Sequence, residues 1–331
     1  FPGVDNDKDK TLSAMLRMAV IAQTQERYEK APVETDEQRA EKAALEGLVK
    51  QLFVELKRDF KPSDLPPYTL VKLGMHLAGT SQPEESIAYF DEILDPSEPD
   101  PVRKKARING MSKYRKNAVF GKAVALGRSK DNAKVDTAIK MMRDELSKEE
   151  SSSNPDRKAM EDAQYNLVKF TFARQDWPAV IAAADKYREN KTYKKNLPEV
   201  LYLQGEAYLK QNELDKALIN FMNITGTYKG LVKWSAPAVL AQMDTLWKRN
   251  TMSQGAGKQP SDRYVAWKAG SQYVQLLDTP ANRKKMTAED SALVNEVKDK
   301  TAKFGSDPAV SQERADIAAY EAAVRAAKGQ K

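Results

Sequence analysis

The sequence contains no cysteine, one histidine (His76), and few turn-forming residues, with 15 glycines and 16 prolines among 331 residues. The absence of cysteine excludes disulfides, zinc–thiolate sites and thiol nucleophiles, and a single histidine excludes a pair of histidine ligands on one metal. Scarce Gly and Pro disfavour an all-β sandwich, which needs frequent turns. No apolar run approaches the roughly 18–20 residues of a transmembrane helix. We therefore expect no metal, no cofactor and no transmembrane segment.

The residues that are present favour a folded, all-α chain. Hydrophobic residues make up 41% and charged residues 31%, which permits a core and disfavours wholesale disorder. Apolar residues recur at helical spacing, and helix breakers follow at intervals of roughly 15–20 residues, which predicts about fourteen helices. The clearest stripes are Leu12, Met15, Leu16, Ala19 and Val20 in 11–30, and Ala40, Ala44, Leu48, Leu52 and Leu56 in 36–60. The polar run 151–154 predicts a boundary between domains 1–150 and 151–331.

An internal repeat stands out at 198–231. Its small, aromatic and apolar residues fall at positions 8, 11, 20, 24 and 27 of a 34-residue unit: Gly205, Tyr208, Ala217, Phe221 and Ile224. Small residues at positions 8 and 20 let two antiparallel helices approach to the short end of the usual 8–10 Å. Equivalent spacing recurs at 67–100, with Gly74 and Ser86, and more weakly at 161–194, where Val168 and Val180 are bulkier than the pattern expects.

This pattern resembles the tetratricopeptide repeat (TPR), a helix–turn–helix unit of 34 residues. The run from about 161 to 247 also resembles TPR proteins of the bacterial cell envelope, through 197–208 and through 235–240, where a small residue and a proline precede an apolar helix. The resemblance implies an α-solenoid of helical hairpins: one TPR-like unit (67–100) in the first domain, and a TPR-like array with a C-terminal helical cap in the second. It also implies a non-catalytic scaffold or adaptor that binds a protein or peptide.

The resemblance further implies which residues line the binding groove. In the family, positions 2, 5, 6, 9, 12 and 13 of each first helix face the concave surface. The positions that we select from 161–194 and 198–231 are Asp162, Tyr165, Asn166, Lys169, Phe172, Tyr202, Glu206 and Lys210. Tyr, Asn and Lys suit an extended or helical peptide. The alternative for Tyr165, Phe172 and Tyr202 is that they pack between repeats. Positions 2 and 6 of 198–231 hold Glu199 and Leu203, which argues against a clamp for a terminal carboxylate.

Charge is strongly segregated along the first domain. The stretch 101–130 holds ten Lys or Arg and no acid, whereas 84–100 holds seven acids and no base. A basic patch attracts an anionic protein, polymer or lipid surface. The alternative is that the acidic stretch pairs with the basic one inside the fold. Nucleic acid is disfavoured because few aromatic residues interleave. The candidate patch consists of Arg103, Lys104, Lys105, Arg107, Lys113, Arg115 and Lys116.

An enzyme is the least favoured reading. No residues stand in a nucleophile–base arrangement, and His76 lies between Met75 and Leu77 on a predicted helix, without an acidic partner nearby in sequence. Residue 1 is Phe, which is expected of a processed or trimmed chain, so a preceding signal peptide or lipid anchor stays open. Because the absence of cysteine suits oxidising compartments, we expect a periplasmic, envelope-associated or secreted protein, with a cytoplasmic one as the alternative.

Overall fold

Helix-start signals in the sequence mark where the helices begin. The computed structural model describes residues 7–33, 35–255 and 257–329. Thr35 and Gln38 form a capping box before the helix Asp36–Asp59, and the side chains of Asp100 and Asp131 accept hydrogen bonds at the starts of two others. Within the described ranges the regular structure is entirely helical and contains no strand. The predicted all-α class is confirmed.

The chain divides into two compact units, Phe1–Asn166 and Leu167–Lys331. The division falls inside one helix, whereas the polar run suggested a boundary at 150/151. That run is anchored within the first unit, since the backbone N–H of Asp156 donates to Glu149 and the ammonium of Lys116 pairs with both carboxylates.

The first unit begins with two long helices and continues as shorter ones. They are α1 (Asp7–Lys30), α2 (Asp36–Asp59), α3 (Pro67–Ala78), α4 (Ile87–Leu94), α5 (Pro101–Met111), α6 (Arg115–Gly127), α7 (Asn132–Glu150) and the first part of α8 (Arg157–Ala173). Three short 3-10 helices, Pro62–Asp64, Pro83–Ser86 and Ser112–Tyr114, separate some of them. The last of these lies directly between α5 and α6.

The apolar stripe of α1 does not face the core. Leu12 and Met15 are about half exposed (55% and 54%), whereas Ala14, Met18 and Ile21 on the opposite side are buried. The helix therefore has two apolar faces, and the stripe that stands out in the sequence is not the buried one. Ala14, Met18 and Ile21 are the α1 residues that belong to the first unit's core.

The ring of Phe90 on α4 is fully buried in the first unit's core. An ideal Cβ placed on Gly74 of α3 would lie 2.8 Å from Cε1 of this ring, and one placed on Gly121 of α6 would overlap the same ring. Glycine at both positions lets α3 and α6 approach α4 closely. The close approach expected at Gly74 is thus present.

The second unit is also a succession of helices. Its members after α8 are α9 (Trp177–Glu189), α10 (Leu197–Lys210), α11 (Leu214–Thr227), α12 (Val232–Arg249), α13 (Asp262–Leu277), α14 (Pro280–Arg283), α15 (Ala288–Gly305) and α16 (Pro308–Gly329). The helices α10 to α13 pack consecutively, and α10 with α12 and α12 with α15 also lie side by side. Among the described residues, no helix combines the length and apolarity that crossing a membrane requires.

The second unit repeats the glycine–phenylalanine contact of the first. An ideal Cβ on Gly205 of α10 would lie 2.6 Å from Cε1 of the buried Phe221 on α11. Gly205 and Phe221 are 16 residues apart, as are Gly74 and Phe90. The two hairpins α3–α4 and α10–α11 therefore use the same residue types at the same spacing to set the distance between their helices.

Candidate protein-binding face

Three of the predicted groove residues recur every fourth residue along α10, so they share one side of the helix. Of these, Tyr202 is half-buried: its ring lies 5.9 Å from that of Phe221 and 6.3 Å from that of Trp234 on α12, centroid to centroid. Burial, followed by the nearby carboxylates of Glu206 and Glu296, raises the pKa of Tyr202 to about 12. The phenol therefore stays neutral at physiological pH and can donate a hydrogen bond.

Glu206 is the most unusual group on this side of α10. Its carboxylate is partly buried, and it makes neither a hydrogen bond nor an ion pair with any residue in the described part of the chain. Burial raises its pKa, the charge of Lys210 lowers it by a smaller amount, and the charge of Asp244 raises it by less again. Ionising Glu206 therefore costs more in the folded chain than in water, and an approaching cation would offset that cost.

The helices α12 and α15 extend this surface. Asp244 of α12 forms an ion pair with Lys300 of α15, in which Nζ of the lysine lies 2.5 Å from Oδ2 of the aspartate. Together these helices form what we call the α10–α12–α15 face, which comprises Tyr202, Glu206, Lys210, Trp234, Asp244, Glu296 and Lys300. It combines two aromatic rings with three carboxylates and two ammonium groups. Such a surface offers apolar contact area and charges of both signs to a polypeptide segment.

Sequence reasoning missed four members of this face. Asp244 was within reach, because Val239 stands 34 residues after Gly205 and thereby puts Asp244 at position 13 of the next unit. Trp234 falls at a position that the family pattern does not assign to the groove. Glu296 and Lys300 lie on α15, where the sequence shows no repeat pattern, so only the packing of α12 against α15 reveals them.

The predicted groove residues on α8 have different surroundings. Phe172 packs edge-on against Trp177 at 5.5 Å, which favours its interpretation as a packing residue. Lys169 lies 3.8 Å from the carboxylate of Glu199. Asp162, Tyr165 and Asn166 belong to the first unit, where the amide of Asn166 donates to the backbone oxygen of Asp162. The α10–α12–α15 face does not include these five residues of α8.

Much of the basic stretch is paired within the first unit. Lys104 pairs with Asp95 at 2.6 Å and Arg107 with the buried Glu92 at 3.0 Å, and Lys122 pairs with Asp91 at 2.5 Å. Lys116 pairs with both Glu149 and Asp156. Arg115 donates to the backbone oxygen of Leu94. The ammonium of Lys113 lies over the ring of Tyr114. The acidic stretch 84–100 thus supplies three partners of the basic one.

Four members of the candidate patch remain without an acidic partner among the described residues: Arg103, Lys105, Lys113 and Arg115. All four are exposed. The cationic surface that they offer is smaller than the seven residues that the sequence suggested.

His76 serves as a packing residue. Its imidazole stacks on Phe53 with centroids 4.0 Å apart and planes inclined by 14°. Burial lowers its pKa from the ordinary value of 6.5, and the charge of Lys50 lowers it further. The described residues contain no cluster of three or more His, Cys, Asp or Glu that is suited to a metal ion.

Comparisons of the chain with known protein families, with curated proteins and with solved structures find no match.

Proposed function

We propose that this chain is a TPR-like α-solenoid that acts as a non-catalytic scaffold, binding a segment of another protein on the α10–α12–α15 face. The repeated contact of Gly74 with Phe90 and Gly205 with Phe221 supports equivalent hairpins. α10 packs beside α12, and α12 packs beside α15. This arrangement supports a layer made of the first helix of each hairpin, and in the resembled family such first helices line the concave surface. A rigid surface of this kind loses little conformational freedom when a flexible segment docks.

The observation that carries this proposal is the state of Glu206. A half-buried carboxylate without a hydrogen bond or ion pair from its own chain is unfavourable for the isolated fold, and a cation supplied by a partner would offset this cost. The rings of Tyr202 and Trp234 beside it supply apolar contact. The partner segment therefore carries a Lys or Arg that pairs with Glu206 and an apolar or aromatic side chain that covers the rings.

The experiment is capture of partners by the tagged full chain from a bacterial envelope extract, at low and at high salt, followed by mass spectrometry. Wild type retains one defined protein at both salt concentrations, whereas Tyr202→Ala and Glu206→Gln lose it. Ile219→Ala, an exposed apolar residue of α11, is the matched control and keeps the partner. Partners that are insensitive to Tyr202→Ala and Glu206→Gln contradict the assignment of this face.

A second candidate function rests on the four cationic side chains of the candidate patch without acidic partners. Arg103, Lys105, Lys113 and Arg115 would attract an anionic polymer or lipid surface, with affinity that falls steeply as salt rises. Binding of the chain to vesicles with and without anionic lipid tests it. Loss of binding at low salt when all four are changed to Gln supports this function, and equal binding by both proteins excludes it.

We place this scaffold in the bacterial cell envelope. The chain contains no cysteine, which suits an oxidising compartment, and its repeats resemble those of envelope TPR proteins. Fractionation of the native host into cytoplasm, periplasm and membranes, with detection by an antibody, tests this location.

A further inference from the structure

One connection in the second unit is much longer than its counterpart. The hairpin α10–α11 turns in three residues, 211–213, whereas α12 and α13 are joined by twelve, 250–261. Long connections between packed helices are uncommon, and they frequently carry binding residues. The base of this loop is held by an ion pair of the buried Asp262 with the partly exposed Arg249, which donates to both carboxylate oxygens at 2.8 and 2.6 Å. Asp262 also accepts from the backbone N–H of Thr251 at 2.8 Å.

The far part of the loop stands against α16. Gly257 has a φ of +79°, and its backbone lies so close to the ring of Tyr320 that an ideal Cβ would be 2.5 Å from a ring carbon. At the other end, the backbone N–H and hydroxyl of Ser261 donate to the carboxylate of Glu313. Between these two contacts the loop and α16 enclose a cleft of about 810 Å³. These two contacts fix the loop against α16, and the space between them is a feature of the fold.

The walls of the cleft are mainly apolar, with charges at its edge. Met252 on the loop is 73% exposed and Tyr320 on α16 is 45% exposed, and Ile317 lies one turn before Tyr320. Exposed apolar side chains of this size around a cavity mark binding surfaces. At the edge, Lys258 stands on the loop side and Asp316 on the helix side. In the described part of the chain neither side chain makes an ion pair.

We infer that this cleft binds a short peptide segment of a partner protein, which inserts an aromatic or branched aliphatic side chain between Met252, Ile317 and Tyr320. The strong exposure of Met252 and Tyr320 means that the cleft is open along one side, whereas small-molecule sites bury most of their ligand's surface. An open cleft suits one anchoring side chain of a polymer. Met252 can adapt its shape to that side chain because it is unbranched.

The charges at the edge define the partner segment further. An acidic residue on one side of the anchor faces Lys258, and a basic residue on the other side faces Asp316. The segment is therefore an apolar anchor flanked by charges of opposite sign. This site uses the loop and α16, and so it does not depend on the α10–α12–α15 face.

The test is selection of a phage-displayed library of 12-residue peptides on the full chain, followed by fluorescence polarisation with the enriched peptides. The expected peptides carry an aromatic or aliphatic anchor between an acid and a base. Met252→Asp and Ile317→Asp each weaken binding at least about tenfold. Lys258→Glu weakens binding similarly, and replacing the peptide's acid by Lys restores it. Thermal unfolding checks that each variant is folded, and the highly exposed Met252 gives a variant that leaves the core intact.

Two controls separate this site from other apolar surfaces and from the proposed function. Ile219→Asp, on an exposed part of α11, and Tyr202→Ala leave the affinity of these peptides unchanged. Peptides that respond to Tyr202→Ala but not to Met252→Asp would assign binding to the α10–α12–α15 face and overturn the inference. A selection that yields no peptide sensitive to Met252→Asp and Ile317→Asp, including one that yields no peptide at all, also overturns it.

Discussion

Replacing Gly205 by Leu is the most direct test of how the α10–α11 hairpin is packed. A Cβ at this position would lie 2.6, 2.9 and 3.1 Å from Cε1, Cζ and Cδ1 of Phe221, whose ring is fully buried. Overpacking of this kind costs about 1–3 kcal/mol or more. Removing a glycine from a helix interior returns up to about 1 kcal/mol. We therefore expect a net loss in the free energy of unfolding, measured as a lower urea midpoint.

Gly47→Ala is the matched control for Gly205→Leu. Gly47 lies within α2, and an ideal Cβ there meets nothing within 4 Å, so the substitution should raise stability by about 0.5–1 kcal/mol. A double mutant of Gly205→Ala and Phe221→Ala provides a second check, since the added Cβ then occupies part of the space that the ring leaves. Its destabilisation should be smaller than the sum of the two single changes. An unchanged midpoint for Gly205→Leu, or strict additivity in the double mutant, would refute the packing derived for this hairpin.

Three further predictions concern titratable groups. The folded-state pKa of His76 is lowered, so its contribution to stability is complete above about pH 6.5 and declines as the pH falls below that value. Urea midpoints measured from pH 8 to pH 5 should show this decline, and the decline should be smaller in His76→Leu. The folded-state pKa of Glu206 is raised, so its ionisation destabilises the fold as the pH rises above 4.5. Glu206→Gln should therefore stabilise the protein at pH 7 while weakening partner capture. A variant with a lower urea midpoint at pH 7 would contradict this. Asp262→Asn should cost about 1–3 kcal/mol, because Arg249 and Thr251 lose a buried acceptor, and it should speed proteolytic cleavage within 250–261; cleavage at the wild-type rate would show that the ion pair does not hold the loop.

The helical class and the hairpin at 198–231 could be predicted from the sequence because they depend on local spacing. Gly205 and Gly74 stand at the repeat position where a small residue is expected at a helix crossing, and both are in close helix contacts. The face that α1 buries could not be predicted in the same way. That helix has apolar residues on opposite sides, and the choice between Met15 and Met18 depends on the neighbouring helices.

The candidate site was predictable in part, for a related reason. Tyr202 and Glu206 follow from their position in the repeat, whereas Glu296 lies on a helix whose sequence shows no repeat. The basic stretch illustrates the same limit, because the sequence left two alternatives open, a binding patch or pairing with the acidic stretch 84–100, and did not identify which side chains pair. Arg107 pairs with Glu92 only because the fold brings α4 and α5 together.

Site-specific photo-crosslinking tests the central claim most directly. A benzoylphenylalanine in place of Tyr202 keeps an aromatic ring on the α10–α12–α15 face, and the same residue in place of Ile219 reports on an exposed surface of α11. After irradiation in the native envelope extract, we predict a crosslink from position 202 to one defined protein, through a segment that contains a Lys or Arg, and none from position 219. Crosslinks of equal yield from both positions, or capture of a partner without any crosslink from position 202, would contradict the assignment of this face as the binding surface.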